Sequence, residues 1–431
     1  MRKGTNFIYI MNNVVCNHRL LLQCLKVFIQ CQEMDNSRYI QVIKNINEEL
    51  RVCELSENIG LHAGTSGIAL FLAYYDHIIQ KKSDVSQRVM DILTHNIGCI
   101  NSGSRLHTIC SGISGFGWLC EHLSKMEMLS KEDIKFLDYI DPYLYKMMMV
   151  DIKKGNYDYL HGALGVGTYF LSRFKIEEVH GYLKELLIEI EKSSITCYND
   201  AVKWISVIDH ETGEKGVNIS LSHGMSSIAA FLIRLHQLDF ETKRVIELLT
   251  RTVTYILDQI TCTEGSLSCF PSFSKESSKG NYYSRLGWCY GDLGIAFTLL
   301  RAAMVLKNEE WEKLAIQVLL HNCNRRNLRE NAINDAGLCH GSSGIAHIFW
   351  NLYLGIQINE FNDASDFWLN VTLQMAKYSD GLAGFKAWRK EEYGGLIKTG
   401  NLLEGIAGIG LALISNLKSG NMRWDECLLL S

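Results

Sequence analysis

Proline is almost absent from this chain of 431 residues, in which only Pro142 and Pro271 occur. Average usage of about 5% would give about twenty prolines. Because proline interrupts helices, a chain with so little of it can form many helices without internal breaks. The hydrophobic content of 47% and the charged content of 21% are ordinary for a globular protein and exclude a disordered chain.

The chain also lacks a strong charge of either sign. It has 43 basic and 47 acidic residues, and the formal net charge is −4. Domains that bind nucleic acid usually carry a marked basic excess. We therefore expect no nucleic-acid partner.

Long hydrophobic runs are missing as well. The apolar stretch Leu20–Ile29 is too short to span a membrane and contains Lys26. No secretion signal is evident, because Asn12 and Asn13 interrupt the first apolar stretch and no small-residue cleavage site follows. The 14 cysteines are too scattered for a small disulfide scaffold. We expect a cytoplasmic protein with reduced thiols or metal ligands.

A cleaner helical pattern begins near Asp35. Residues 1–34 are therefore predicted to be an N-terminal extension, and a translation start at Met34 is an alternative to the start at Met1. Residues 35–431 are predicted to form a single domain.

A Gly-x-x-Gly element followed by an apolar run recurs along the chain, which is the signature of a repeat architecture. A variant of it begins at Gly224, where Ser227 replaces the second glycine. The other copies are Gly64–Gly67, Gly112–Gly115, Gly162–Gly165, Gly291–Gly294, Gly341–Gly344 and Gly405–Gly408. Each run is about one helix long and apolar on most faces, which is typical of a buried helix.

Amphipathic stretches lie between these elements. Those with clear helical patterning are Asp35–Cys53, Lys131–Val150, Val179–Ile190, Glu241–Ile260 and Glu310–Asn322. Each repeat is thus predicted to be an outer amphipathic helix, a loop and an inner apolar helix. Seven such units bury their apolar helices best by closing into a ring, with paired glycines allowing neighbouring inner helices to approach closely. We predict an all-α fold, an α/α toroid with parallel inner helices; an open α-solenoid is the alternative.

Polar and reactive side chains occupy two fixed positions before the inner helices. The position directly before the first glycine holds Ala63, Ser111, His161, His223, Tyr290, His340 and Glu404. The position before that holds His62, Cys110, Leu160, Ser222, Cys289, Cys339 and Leu403. Parallel inner helices would gather these residues at one mouth of the ring. Helix N-termini at that mouth favour anionic ligands such as a thiolate or an enolate.

Three residues in this register, Cys289, Cys339 and His340, form a candidate metal site. Two thiolates and one imidazole suit Zn²⁺, and three protein ligands leave a fourth coordination position open. The alternative is that these cysteines are merely buried at the starts of helices. Cys110 occupies the same register and is a rival ligand.

Candidate residues for proton transfer lie near the same mouth. His223 could act as a general acid or base, or it could be a capping or core histidine. Asp158 could orient His223, or it could be a carboxylate at a helix start. Arg285 could stabilise a developing oxyanion, or it could belong to a structural ion pair.

From Asn58 to Ile414 the sequence resembles the lantibiotic cyclase (LanC) family, also called lanthionine synthetase C. The motifs that carry the resemblance are YDYLHGALG, LSHGMSS, RLGWCYGDLG, LCHGSSGIAHIF and LLEGIAGIG. The resemblance implies an α/α toroid with one catalytic zinc, whose ligands match Cys289, Cys339 and His340. Ser227 departs from the family's usual small residue or glycine, which affects only local helix packing.

The resemblance also implies roles for residues around the metal. The family's catalytic histidine and aspartate match His223 and Asp158, and its functional arginine matches Arg285. Trp288 and Tyr290 match aromatic positions beside the metal, where they are predicted to contact substrate.

The implied activity is that of a zinc-dependent lanthionine synthetase. It adds cysteine thiolates of a dehydrated precursor peptide to dehydroalanine or dehydrobutyrine, and so forms thioether rings. The implied partners are the precursor peptide, a separate dehydratase and an exporter, so peripheral association with a membrane complex is expected as an alternative to a free cytoplasmic enzyme. The Ser- and Gly-rich segment Gly265–Gly280 is predicted to be a flexible loop that helps admit the peptide.

The same residues leave three alternative functions open. A LanC-like enzyme could add a small thiol such as glutathione to dehydrated residues. A non-catalytic peptide-binding scaffold is opposed by the intact candidate site. A zinc-dependent protein prenyltransferase is less consistent, because its metal site characteristically includes an aspartate and it lacks the repeated glycine element.

Overall fold

The computed structural model describes residues 37–209, 212–263, 265–277, 283–417 and 422–431. The predicted boundary at residue 34 lies outside these residues and stays a prediction, as does the single domain from residue 35. The described part is predominantly helical, with only short strands in its loops.

The helices alternate between an inner and an outer layer. In chain order they are α1 (37–52), α2 (Thr65–Tyr74), α3 (Gln87–Asn101), α4 (Ile113–Lys125), α5 (Leu137–Lys153), α6 (Ala163–Ser172), α7 (Glu177–Lys192), α8 (Met225–Gln237), α9 (Thr242–Asp258), α10 (Asp292–Leu306), α11 (Glu309–Cys323), α12 (Ser342–Ile356), α13 (Asn359–Gln374) and α14 (Ile406–Leu417). The even-numbered helices each begin at a glycine element and are almost wholly buried. They are the predicted inner helices.

The inner helices form a closed ring. Each even-numbered helix packs against the next one along the chain, and α14 packs against α2. The predicted toroid is therefore confirmed, and the open solenoid is wrong because its first and last helices would not meet. The odd-numbered helices cover the outside, with close packing in the pairs α8 and α9, α10 and α11, and α12 and α13.

The second glycine of an element lies where two repeats touch. A Cβ atom on Gly115 would lie 2.2 Å from the carbonyl oxygen of Ile109 and 2.5 Å from the amide nitrogen of Leu61, which belongs to the neighbouring repeat. Ser227 is tolerated at the equivalent position of the fourth repeat, because its buried hydroxyl donates a hydrogen bond of 2.6 Å to the carbonyl of Gly224.

Substitution Gly115→Val should strongly destabilise the ring. The new side chain would press on two backbone atoms, so we expect the free energy of unfolding to fall by about 3 kcal/mol or more. Urea unfolding followed by circular dichroism measures this. Gly181→Val in α7 is the matched control, because a Cβ there meets nothing within 4 Å. An equal loss in both variants would contradict the close-approach role.

The C-terminal segment occupies the centre of the ring. Trp424 and Cys427, in the 3₁₀ helix Arg423–Leu428, are fully buried. The ring nitrogen Nε2 of His62 lies 2.7 Å from the carbonyl oxygen of Cys427, and the Tyr159 hydroxyl donates to the same oxygen. His62 and Tyr159 come from different repeats and directly precede inner helices, so the segment reaches the floor of the mouth.

Short antiparallel hairpins lie in loops between outer and inner helices. Their strands are β1 (Ile195–Thr196) with β2 (Val202–Lys203), β3 (Ser206–Asp209) with β4 (Glu214–Gly216), and β5 (Ala387–Trp388) with β6 (Leu396–Ile397). The last hairpin lies on the chain between α13 and the start of α14. Within the described residues, no helix has both the length and the apolarity needed to cross a bilayer.

Candidate metal centre and active site

Backbone hydrogen bonds connect the loops that precede neighbouring inner helices. The amide of Cys289 donates to the carbonyl of Cys339 at 3.2 Å, and the amide of Cys339 donates to Leu403 at 2.9 Å. Equivalent bonds join Ser222 to Cys289, Leu403 to His62, His62 to Cys110 and Cys110 to Leu160. All of these residues hold the same register position, two before the first glycine. The bonds connect these residues in a series that runs from Ser222 to Leu160, and residues next to each other in the series are neighbours in space, which places Cys289 beside Cys339.

The structure brings the predicted metal ligands together. The sulfurs of Cys289 and Cys339 and a ring nitrogen of His340 all lie within 4.8 Å of one another. Hydrogen bonding between the thiols lowers the pKa of Cys289 well below its ordinary value and raises that of Cys339. The Cys289 sulfur is thus favoured as a thiolate that accepts a hydrogen bond from the Cys339 thiol.

The chemistry of this donor set fits a zinc ion. Two cysteine sulfurs and one imidazole are typical zinc ligands, and an open tetrahedral position remains for a substrate. Behind the imidazole, His340 Nε2 lies 4.0 Å from the Asp335 carboxylate. That buried carboxylate is held by the amides of Gly337 at 3.0 Å and Trp388 at 2.8 Å. At 4.0 Å the carboxylate is too far from the imidazole for a hydrogen bond, so it acts on His340 through its charge.

The rival ligand Cys110 is not part of this cluster. Cys110 is buried, and its backbone is hydrogen-bonded to His62 and Leu160 rather than to a residue of the cluster. Burial raises the pKa of the Cys110 thiol to about 11. A thiol in that environment is a poor ligand without a cation beside it.

His223 and Asp158 form a hydrogen-bonded pair. Nδ1 of His223 lies 2.6 Å from Oδ2 of Asp158, and Oδ1 of Asp158 accepts the backbone N–H of His161 at 2.7 Å. Burial on its own would lower the pKa of His223. The charge and hydrogen bond of Asp158, together with the charge of Cys289, outweigh burial and raise this pKa above its ordinary value. The imidazole is therefore favoured in its protonated form.

The pair also fixes the state of the aspartate. Burial would raise the pKa of Asp158, but the charge of His223 and their hydrogen bond outweigh it, and the pKa is lowered. The imidazole of His161 stacks on that of His223 with ring centroids 6.1 Å apart. His161 occupies the predicted register, but the sequence suggested no role for it.

Arg285 and Tyr290 lie at the same mouth. The positive charge of Arg285 is close enough to act on Cys289, Cys339 and His340. The ring of Tyr290 is 5.8 Å from that of His223, and its hydroxyl oxygen accepts a hydrogen bond of 3.4 Å from the Asn218 amide. Burial raises the pKa of Tyr290 to about 12, so its phenol stays neutral.

Trp288 does not lie on the open surface of the site. Its side chain is only 1% exposed, and its indole N–H donates to the carbonyl of Leu428 at 2.7 Å. Its ring stacks beside that of His62 at 6.5 Å. In the structure Trp288 contacts the central C-terminal segment, and its predicted contact with substrate stays a prediction.

A cleft of about 380 Å³ opens beside the cluster. It is lined by Arg285, His340, Trp388, Arg389, Lys390, Tyr393 and Glu404. Most of these residues belong to the β5–β6 hairpin, which sequence reasoning missed, although the run WRKEEYGG combines aromatic and cationic residues shortly before the LLEG motif. Arg389 donates to the Glu404 carboxylate at 2.7 Å. This bond ties the hairpin to the loop that precedes helix α14.

The predicted mouth loop Gly265–Gly280 is described only in part, because residues 278–280 lie outside the described residues. Within it, the ring of Phe273 lies 5.8 Å from that of Tyr290 in an edge-on arrangement. The amide of Ser274 donates to the carbonyl of Val217 at 3.0 Å. This segment therefore reaches the site; its flexibility stays a prediction.

A closed ring of inner helices with a cysteine and histidine cluster at one mouth defines an α/α-toroid protein with a candidate zinc site. Residues 56–429 match the family described as Lanthionine synthetase C-like protein, and the chain belongs to that family. The resemblance seen in the sequence motifs is thus confirmed.

Two relatives illustrate this membership. The nisin biosynthesis protein NisC of Lactococcus lactis subsp. lactis is 24% identical over 399 residues, covering 86% of this chain and 88% of the relative. The solved structure of nisin cyclase superposes with a TM-score of 0.70 at 18% identity, covering 91% of this chain and 96% of that chain. At this identity the structural likeness shows the fold.

Proposed function

We propose that this protein is a zinc-dependent lanthionine cyclase that forms thioether rings in a dehydrated precursor peptide. The observation that carries the proposal is the convergence of Cys289, Cys339 and His340 at the mouth that also holds the His223–Asp158 pair. Family membership supports the reaction class, and the cyclase relatives support a peptide substrate.

The substrate contains dehydroalanine or dehydrobutyrine together with free cysteines. A separate dehydratase has to supply the dehydro residues, because the proposed site performs only the addition. Docking on that dehydratase or on an exporter, and a cytoplasmic location, stay predictions.

Thiol activation is the first requirement of the reaction. A free cysteine has a pKa of about 8.5, so at neutral pH it is mostly the unreactive thiol. A zinc ion held by the three ligands would keep the substrate thiol deprotonated at neutral pH. Cys289, Cys339 and His340 would be the three protein ligands of this ion, and the fourth coordination position would be left for the substrate thiol beside the cleft.

Protonation is the second requirement. When the substrate sulfur bonds to the β-carbon, the carbon–carbon double bond opens and its electron pair forms an enolate. His223, whose pKa Asp158 raises, donates in its protonated form a proton to the α-carbon. It regains a proton from solvent, so the net reaction joins S–H across the double bond. Asp158 acts through His223 by holding Nδ1 and turning the other ring nitrogen toward the mouth.

Charge stabilisation and positioning complete the mechanism. Arg285 borders the cleft together with His340, where its guanidinium can stabilise the enolate oxygen. Tyr290 packs beside His223 and limits how the ring can move. Holding both reacting ends of one peptide in one site gains rate through effective molarity.

Incubation with a dehydrated, cysteine-containing precursor peptide tests this proposal. Addition within the peptide leaves its mass unchanged, so we expect free thiols to disappear at constant mass. Prior removal of metal with a chelator should abolish the thiol loss, and peptide alone gives the spontaneous rate. Thiol loss that is insensitive to chelation would contradict the proposal.

The same assay separates the alternative functions. With glutathione present, addition of the small thiol would increase the peptide mass, which the cyclase does not do. A scaffold would bind the peptide without changing its thiol content.

A further inference from the structure

A second cluster of sulfur and imidazole ligands lies outside the site described above. The sulfurs of Cys262 and Cys269 and a ring nitrogen of His321 all lie within 4.8 Å of one another. The two cysteines belong to the segment after α9, and His321 lies in the last turn of the outer helix α11. None of the three occupies the register that forms the mouth.

A backbone carbonyl contacts one ring nitrogen of His321. Its Nε2 lies 3.1 Å from the carbonyl oxygen of Leu267, which is part of the segment between the two cysteines. A hydrogen bond donated from Nε2 places the proton there and leaves Nδ1 with a free lone pair. Metal-binding histidines usually donate their other ring N–H to a carboxylate or a backbone carbonyl in this way.

The segment that carries the cysteines is held in place by the protein. The amides of Cys269 and Phe270 donate to the two oxygens of Asp292 at 2.8 and 2.7 Å. Asp292 is fully buried and pairs with the buried guanidinium of Arg325 at 3.1 Å. The amide of Thr261 donates to the carbonyl of Cys269 at 2.8 Å and closes the base of the segment. The position of the Cys269 sulfur is therefore set by the fold.

We propose that Cys262, Cys269 and His321 bind a second zinc ion. Two sulfurs and one imidazole nitrogen again form a set that suits zinc. Water completes the tetrahedron, because the Cys262 side is exposed to solvent. The two thiols are not joined by a disulfide in the structure and remain available as ligands.

This ion would connect two parts of the chain that lie outside the mouth. It ties the segment after α9 to helix α11. It thereby fixes the beginning of the stretch that continues from Cys269 through Phe270 to Phe273. Phe273 packs on Tyr290 at the mouth, so the second site braces one wall of the first. The proposal goes beyond the cyclase function and does not depend on it, because zinc binding at the second site requires no turnover.

Zinc content of the full chain tests the proposal. Protein is loaded with zinc under reducing conditions, freed of excess metal by gel filtration, and assayed for zinc per chain. We expect two ions in the wild type, one in Cys262→Ser, one in Cys339→Ser and none in the double variant. Cys262→Ser is chosen because Cys262 is exposed and its replacement leaves the core intact. Cys197→Ser, at a half-buried cysteine outside both clusters, is the control and should retain two.

A second variant and a second metal make the result independent of one substitution. His321→Gln should also reduce the content from two ions to one. Cobalt loaded in place of zinc should show the strong visible absorption of tetrahedral thiolate centres, and about half of it should disappear in Cys262→Ser. One ion in the wild type, an unchanged content in Cys262→Ser and His321→Gln, or a Cys262–Cys269 disulfide under these reducing conditions would each overturn the second site. A single ion that is kept in Cys262→Ser and lost in Cys339→Ser would overturn the second site and leave the proposed cyclase site intact, whereas the reverse pattern would count against the mouth cluster.

Discussion

Substitution Cys339→Ala is expected to lower the rate of thiol addition by roughly 10³-fold and to remove zinc from the mouth. At neutral pH only a few per cent of a free thiol is ionised, so loss of thiol activation accounts for about thirtyfold. Loss of the fixed position of the nucleophile accounts for about a further hundredfold. The rate is measured as thiol loss from the dehydrated peptide, and zinc content is measured on the same sample.

Cys110→Ala provides the control for this substitution. Cys110 is a buried cysteine at the same register position but outside the metal cluster. The Cys110→Ala variant should keep the zinc content and the activity of the wild type, and only its stability should fall modestly. If Cys339→Ala kept the full zinc content of the wild type and near-normal turnover, the metal role of the mouth cluster would be wrong.

Substitution His223→Gln should reduce turnover by about 10²–10⁴-fold, which is the usual contribution of a positioned acid or base. Zinc content should stay at the wild-type level, because His223 is not one of the proposed ligands. The two readouts together separate loss of proton transfer from loss of the metal. Single-turnover kinetics on the dehydrated peptide measures the addition step.

Asp158→Asn tests the partnership of the pair. We expect a smaller loss, about 10- to 100-fold, because the imidazole remains and only its orientation and charge partner change. Since Asp158 raises the pKa of His223, its neutralisation should lower that pKa, and activity should decline at a lower pH than in the wild type. The double variant should be no slower than His223→Gln alone. A multiplicative loss would mean that Asp158 contacts the substrate independently.

The repeat pattern allowed much of the ring to be predicted. Inner helices α2, α4 and the others begin at the glycine elements, where close contacts such as that between Gly115 and Leu61 leave little room for a side chain. Outer helices α7, α9 and α11 agree with their amphipathic stretches. The stretch beginning at Lys131 forms a helix only from Leu137. Hydrogen bonds between the side chains and amides of Ser130 and Asp133 hold a turn instead.

Two outer helices were expected from the repeat, but no amphipathic stretch marked their positions. Helix α13 is rich in Asn, Asp and Ser, and α3 contains Gly98 and several residues of low helix propensity. Both helices are stabilised by packing on the inner layer, where Trp368 of α13 and Ile92 of α3 are fully buried. Local sequence is a weak guide where tertiary contacts supply most of the helical stability.

The sequence by itself determined the order of inner helices and which residues stand at their starts. It thereby placed Cys289, Cys339, His340 and His223 at one mouth, because a repeat with a fixed register delivers equivalent residues to equivalent places. Only the tertiary structure decided which register positions touch: it joined Cys339 to Cys289 and left Cys110 apart.

The fold also decided several features that have no local sequence pattern. It buried Trp288 against the C-terminal segment, brought the β5–β6 hairpin to the cleft, and joined His321 to Cys262 and Cys269. These contacts join segments far apart along the chain. Their geometry is set by ring closure and loop packing, whereas sequence periodicity reports only which face of a helix is buried.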